Sequence, residues 1–173
     1  DAQNMWQWHA ENSSAEAWKD LMASLGEALE IAGQHTVNLG VEPEVGNVVN
    51  SARQARRLLD EMQSPRLRII MDAANLFHPD ELPRQRAMLD EAFDLLGPNI
   101  VLAHAKELRP DGHAGGLPLG TGVLDWDYYL RLLDRNHFTG PLVMHGFAEH
   151  EAAASTKFLR RKLGLANTPG AVH

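Results

Sequence analysis

LRIIMDAANLFHP, residues 67–79, decides the fold. Leu67 to Met71 is a short apolar run of strand type, and Asp72 to Pro83 behind it is polar and turn-rich, so a buried strand ends on a carboxylate. Working upstream, Val48, Val49, Ala52, Ala55, Leu58, Leu59 and Met62 recur at helical spacing with Arg53, Arg56 and Arg57 on the outer face. Val37 to Val41 reads as another strand, closed by Glu42, Pro43, Glu44 and Gly46. Ser13 with Glu16 three residues on is a capping-box pair, opening a helix from Ala15 to Gln34 that carries Trp18, Leu21, Leu25, Leu29 and Ala32. Asp1 to Asn12 lacks periodicity and reads as a loop holding Trp6, Trp8 and His9.

Downstream the alternation continues. Arg84 to Leu96 has a helical stripe stopped by Gly97 and Pro98, and Ile100 to Ala103 is a third strand. A glycine-rich loop follows, through Gly112, Gly115, Gly116, Gly120 and Gly122. Asp125 caps a helix with Tyr129, Leu132 and Leu133, Leu142 to Met144 is the fourth strand, and Glu151 to Leu163 the last helix. Strands alternating with amphipathic helices predict an α/β fold, a parallel sheet with helices packed outside it. A full eight-stranded TIM barrel takes about 250 residues. The 173 residues here hold four strand and helix units, so the expectation is a half-barrel domain over 1–164 and a loose tail over 165–173. Two unpaired edges and one uncovered face then call for further strands or a partner chain, a homo-oligomer included.

Composition narrows the chemistry. Sixteen Lys and Arg against 23 Asp and Glu give a net charge of −7, which argues against a nucleic-acid partner, because such binding needs a basic face. No apolar run approaches the roughly 18 to 20 residues needed to cross a bilayer, and no leader is visible, so the expected setting is soluble and cytoplasmic. With no cysteine, thiolate metal sites and thiol nucleophiles are excluded.

Each predicted strand ends on a residue able to bind a metal: Glu42, Asp72, His104 and His145. In a parallel barrel all strand C-termini open on one face, so these four converge. Taken singly, a polar residue at a strand end is common, and a lone His such as His104 is more often structural than a ligand. The repeat at equivalent register carries the argument. Two carboxylates and two imidazoles suit Mn²⁺, Co²⁺, Zn²⁺ or Mg²⁺.

The ordered segments VEPEVGNVV (41–49), MDAANLFHP (71–79), LAHAKELRPDG (102–112), LGTGVLDWDYYLRLL (119–133) and GPLVMHGFAE (140–149) resemble the second half of the xylose isomerase-like TIM-barrel superfamily, the sugar phosphate isomerases and epimerases. MWQWH at 5–9 resembles the loop after the fourth barrel strand, which would put four strands upstream. The resemblance implies a metal-dependent enzyme acting on a sugar or related polyol, with Glu42, Asp72 and His104 in the positions of family ligands. It also exposes two departures. Asn75 stands where relatives often have His, and His145 stands where epimerase-type relatives place a second metal-bound glutamate that shares the proton transfer.

His145 is therefore expected as a metal ligand first and a base second, its ordinary pKa near 6.5 suiting either role. Glu149 is a candidate replacement carboxylate, and Glu42 the first proton-transfer group. Asn75, Lys106 and Arg109 are candidate substrate contacts, and Trp8 with Trp6 a candidate apolar wall. Against these stand bland readings: Lys106 and Arg109 as solvated loop charges, His78 as structural or exposed, Trp126 as core packing. The LGTG loop lacks the strand-then-helix context of a phosphate cradle. The leading expectation is a sugar isomerase or epimerase. Its rivals are a metal-dependent dehydratase or hydrolase on the same barrel, and a non-catalytic fragment or binding module. An endonuclease relative is disfavoured by the acidic balance.

Overall fold

In a computed structural model, residues 8–165 are described. They form five helices and four strands in alternation: α1 (Ala15–His35), β1 (Leu39–Val41), α2 (Ala52–Met62), β2 (Leu67–Asp72), α3 (Gln85–Leu96), β3 (Ile100–Ala105), α4 (Trp126–Arg135), β4 (Leu142–Met144) and α5 (Ala152–Lys162). The sheet is parallel throughout, in the order β1-β2-β3-β4. This is the expected half of a β/α barrel. Trp6 and all but the first residue of the 165–173 tail lie outside the described residues.

Strand alternation sorts the side chains onto two faces. Leu67, Ile69 and Met71 of β2, with Ala103 and Ala105 of β3, are buried against the helices. There they meet Leu58 and Leu59 of α2, Leu89, Phe93 and Leu96 of α3, and Tyr129 and Leu133 of α4. Each fully buried Leu, Ile or Phe contributes about 2 kcal/mol of apolar transfer, which makes this layer the main source of cohesion. The opposite face carries Arg68, Ile70, Asp72, Leu102 and His104 in matched register, Ile70 facing Leu102 and Asp72 facing His104.

Local chemistry moved several boundaries. Ser14, not Ser13, caps α1, its hydroxyl accepting from the Ala17 N–H at 3.0 Å. Thr36 is left-handed (φ 56°), so β1 starts at Leu39 rather than Val37. The apolar period beginning at Val48 does not start a helix there, because Ser51 is the cap of α2 and leaves Val48 and Val49 in the preceding turn. A short 3-10 turn (Ala10–Ser13) takes in the end of the stretch to Asn12 expected as loop. Asp125 does cap α4, accepting from the Tyr128 N–H at 3.1 Å.

Candidate metal centre and cavity

The period of two continues past each strand end and sets the site. His104 lies on the uncovered face, so Lys106 two residues on shares it, as His145 does after Val143 and Glu42 after Gly40. Asp72, at the end of β2, is fully buried there. Its Oδ1 accepts the Ala74 N–H at 3.0 Å, which starts the short turn after β2 and fixes the carboxylate. Its Oδ2 is the hub of the site: His145 Nε2 lies at 3.0 Å, His104 Nδ1 at 3.5 Å and Lys106 Nζ at 2.9 Å. The two imidazoles meet edge to face with ring centroids 4.3 Å apart.

Glu42 Oε1 is 3.3 Å from His104 Nδ1 and accepts from Asn75 Nδ2 at 2.6 Å. Asn75 Oδ1 in turn accepts from Lys106 Nζ at 2.5 Å. One amide thus bridges the carboxylate to the ammonium. Beneath, the buried Tyr129 hydroxyl lies 3.0 Å from the Met71 carbonyl oxygen and 3.1 Å from that of His104, pinning the ends of β2 and β3 together. The β3 and β4 loops meet where the Gly116 N–H donates to the Gly146 carbonyl. Gly146 is left-handed (φ 78°), and a Cβ on it would fall 2.7 Å from the Lys106 side chain, so glycine lets Lys106 lie flat.

The charges follow from these contacts. Burial pushes the Asp72 carboxyl up, but hydrogen bonds from His104, His145 and Lys106 together outweigh it and hold it well below the usual carboxylate range. The Asp72 hydrogen bond raises His104, burial opposes it, and Glu42 adds to the rise. Burial takes the Tyr129 hydroxyl well above its ordinary value, with the fields of Asp72 and Glu42 adding to it, which leaves it a neutral donor.

Among the described residues, Asp72, His104 and His145 present ligand atoms all within 4.8 Å of one another. Donors around one small cation at bonds near 2.1 Å stand roughly 3 to 3.5 Å apart, so the Asp72 separations fit such an ion, and a carboxylate with imidazoles is a donor set divalent metals accept. Glu42 stands just outside this trio, touching it through the His104 nitrogen.

A cavity of about 630 Å³ opens beside His145, the member of the trio in its wall, and is lined also by Glu42, Asn75 and Lys106, by Trp8 and His78, and by the loop 112–116. Trp8 stands at its edge, 55% exposed, where an apolar wall was expected. Two expected residues do not reach it. Arg109 is turned to Asp111, at 2.7 Å, within the exposed loop. Glu149 sits in a 3-10 turn (Glu149–Glu151) before α5, exposed and outside the lining of this cavity. Trp126 is core, its indole N–H donating to the buried Glu107 at 2.9 Å. His78 is exposed on the rim.

Sequence reasoning missed several wall residues, Asn47, Phe77 and His113 among them, and one further carboxylate, Glu44. Burial pushes its carboxyl up, Lys106 pulls it down, and Glu42 and Asp72 push it up further. The signal was its position: two residues past Glu42, on the loop that closes the same strand end.

The sequence profile of the xylose isomerase-like TIM barrel family matches residues 3–162. This chain belongs to that family. The ketose 3-epimerase of Arthrobacter globiformis is 28% identical over 160 residues, 91% of this chain and 50% of that protein. Among solved structures, a D-allulose 3-epimerase from Methylomonas sp. superposes with a TM-score of 0.70 at 16% identity, over 91% of this chain and 59% of that one. A xylose isomerase-like TIM barrel protein from Mycobacterium smegmatis, solved in complex with magnesium, superposes with a TM-score of 0.66 at 15% identity, over 94% and 56%. The chain thus spans about half the length of these relatives. The half-barrel seen here is the family's fold, and no helix among the described residues is long and apolar enough to cross a membrane.

Proposed function

We propose that this domain belongs to a divalent-metal-dependent sugar isomerase or epimerase, with Asp72, His104 and His145 as ligands and Glu42 joining them. The observation that carries this reading is the meeting of Asp72, His104 and His145 at adjacent strand ends, with His145 in the wall of an open cavity. It is supported by the similarity to a ketose 3-epimerase. A bound divalent ion supplies polarisation of a substrate carbonyl and its neighbouring hydroxyl.

The chain's own residues do the rest. Glu42, oriented by the Asn75 amide, takes the proton from the carbon beside the carbonyl while the electron pair moves onto the carbonyl oxygen. Lys106, held between Asp72 and Asn75, presents its ammonium to a substrate oxygen, and Trp8 offers an apolar face to the sugar ring. His145 stays with the ligand group, because its Nε2 is the atom committed to Asp72. Elemental analysis joined to product analysis on ketoses and inososes tests this. The expected result is a stoichiometric divalent ion lost in Asp72→Ala, and ketose conversion lost in Glu42→Gln with the fold kept. Unchanged metal content in Asp72→Ala removes the basis of the proposal, and dehydrated products replace the isomerase reading with a dehydratase.

A further inference from the structure

We infer that Tyr129 is a positioning residue of the metal centre, its hydroxyl setting the separation of Asp72 and His104 and, through it, how tightly and in what geometry the protein holds a divalent ion. The inference rests on the functional reading above and adds to it a residue outside the cavity lining.

Its first ground is where the hydroxyl lies. Tyr129 is fully buried, and its oxygen is 3.0 Å from the carbonyl of Met71, the residue before Asp72, and 3.1 Å from the carbonyl of His104 itself. Asp72 and His104 are register partners, and their ligand atoms stand 3.5 Å apart. The β2–β3 register shifts between Ile69 and Ile70, which leaves a short regular ladder, Ile70 to Asp72 against Leu102 to His104, to keep the two ligands in step. A phenol has one proton to donate, so the two carbonyls share it, and both are served only while the strand ends stay close. Removing the oxygen takes a donor from two ligand-bearing strands at a place the solvent does not reach.

The second ground is that the ring itself cannot follow the strands. Phe93 of α3 meets it edge to face with centroids 6.1 Å apart, and Trp126 of α4 does so at 6.3 Å. Trp126 is fixed in turn, its indole N–H donating to the buried Glu107 at 2.9 Å and its ring packed edge to face on Phe158 of α5 at 5.6 Å. The phenol oxygen is therefore a point held by the helical layer, and the ends of β2 and β3 are referred to it. The other groups that touch Asp72 and His104, Lys106 and Glu42 among them, are side chains with rotatable bonds. Groups behind the ligands that fix their placing commonly govern metal affinity nearly as strongly as the ligands do.

The test is binding of Co²⁺ to the protein, followed by calorimetry and by the visible absorption of the bound ion, which reports ligand geometry. The wild type is compared with Tyr129→Phe, which removes one oxygen and keeps the ring, and with Leu58→Val, which lowers stability from the core beside α2 and leaves the hydroxyl alone. Tyr129→Phe should weaken Co²⁺ binding by roughly tenfold or more and change the spectrum, whereas Leu58→Val should lower the thermal midpoint and keep both. Where Tyr129→Phe does not fold, fluorine NMR of the 3-fluorotyrosine-labelled wild type decides. The chain has two tyrosines, Tyr128→Phe assigns them, and Zn²⁺ should shift the Tyr129 resonance more than that of Tyr128. Affinity and spectrum unchanged in folded Tyr129→Phe, the same changes in Leu58→Val, or a Tyr129 resonance that Zn²⁺ leaves in place overturns the inference. Wild-type protein that binds no Co²⁺ overturns the functional reading and the inference with it.

Discussion

A fully buried carboxylate loses several kcal/mol of solvation, and Asp72 recovers it by gathering two imidazoles and an ammonium on a single oxygen. The same geometry fixes the sign of a pH dependence. His104 is raised above its unfolded value of about 6.5, so its pairing with Asp72 stabilises fully below that pH and is lost as pH rises through the raised value. Metal-free protein should therefore have a urea midpoint that falls from about pH 6.5 upward, and Asp72→Asn should flatten that slope. A midpoint that climbs over the same range contradicts the pairing. Lys106 gives a second expectation, because its ammonium occupies the oxygen a cation needs. Lys106→Met should tighten manganese binding by roughly tenfold, on the order of 1 kcal/mol for removing a partly screened like charge, and should lower sugar conversion. Metal affinity that weakens instead would show Lys106 helping to build the ligand group. Asp72, His104 and His145 were legible in the sequence because strand ends share one face. The ammonium on Asp72 was not, since only the pleat of β3 and the glycine at 146 decide that Lys106 lies across the site rather than in solvent.

At the level of elements, the long connection between β3 and α4 is organised from inside by Glu107, whose side chain is fully buried. Its Oε1 accepts the N–H groups of Leu108 at 3.0 Å and Leu124 at 3.3 Å, while its Oε2 accepts the Gly120 N–H at 2.5 Å and the Trp126 indole at 2.9 Å. A Cβ at Gly122 would lie 2.6 Å from the Glu107 side chain, so a glycine is needed where the loop crosses it. Glu107→Ala should cost about 3 kcal/mol by leaving buried donors unpaired, and should open 109–122 to proteolysis. A denaturation midpoint within error of wild type would deny the carboxylate this role. The glycine run told of a loop and nothing of its shape, because the order comes from one acid that reads locally as a solvated charge. Parity held the clue: Ala103 and Ala105 face the helices, and Glu107 continues that face. Tyr129 shows the same limit, since its period on α4 marks it as core, but which carbonyls its hydroxyl meets depends on how α4 packs across β2 and β3. The sheet itself was readable from period alone, and the misses at Ser13, Val37 and Val48 are places where a cap or a left-handed residue outweighed apolar spacing.

Among the described residues, the four parallel strands end in two edges, β1 and β4, and one face of the sheet is lined by Gly40, Arg68, Ile70, Leu102 and Val143, opposite the face on which the helices pack. Val143 on edge strand β4 is 41% exposed, and Val101, beside the register shift of β3, is 36% exposed. Parallel sheets are stable when both faces are covered, and an unpaired edge offers a row of free backbone groups to any strand that arrives. The number of units was legible because each strand and helix pair has a recognisable length, whereas what closes the sheet is a long-range pairing that no local pattern encodes. The 173-residue chain on its own should therefore self-associate. Sedimentation velocity should show a coefficient that rises with concentration between about 5 and 200 μM, and Val143→Lys should suppress the rise by placing a charge on the open edge. The substitution also separates edge pairing from adhesion through the exposed helices, since α1 and α5 keep their surfaces unchanged. A coefficient that stays flat in the wild type, or a rise that Val143→Lys leaves intact, would mean that the uncovered sheet is not where copies of this chain meet.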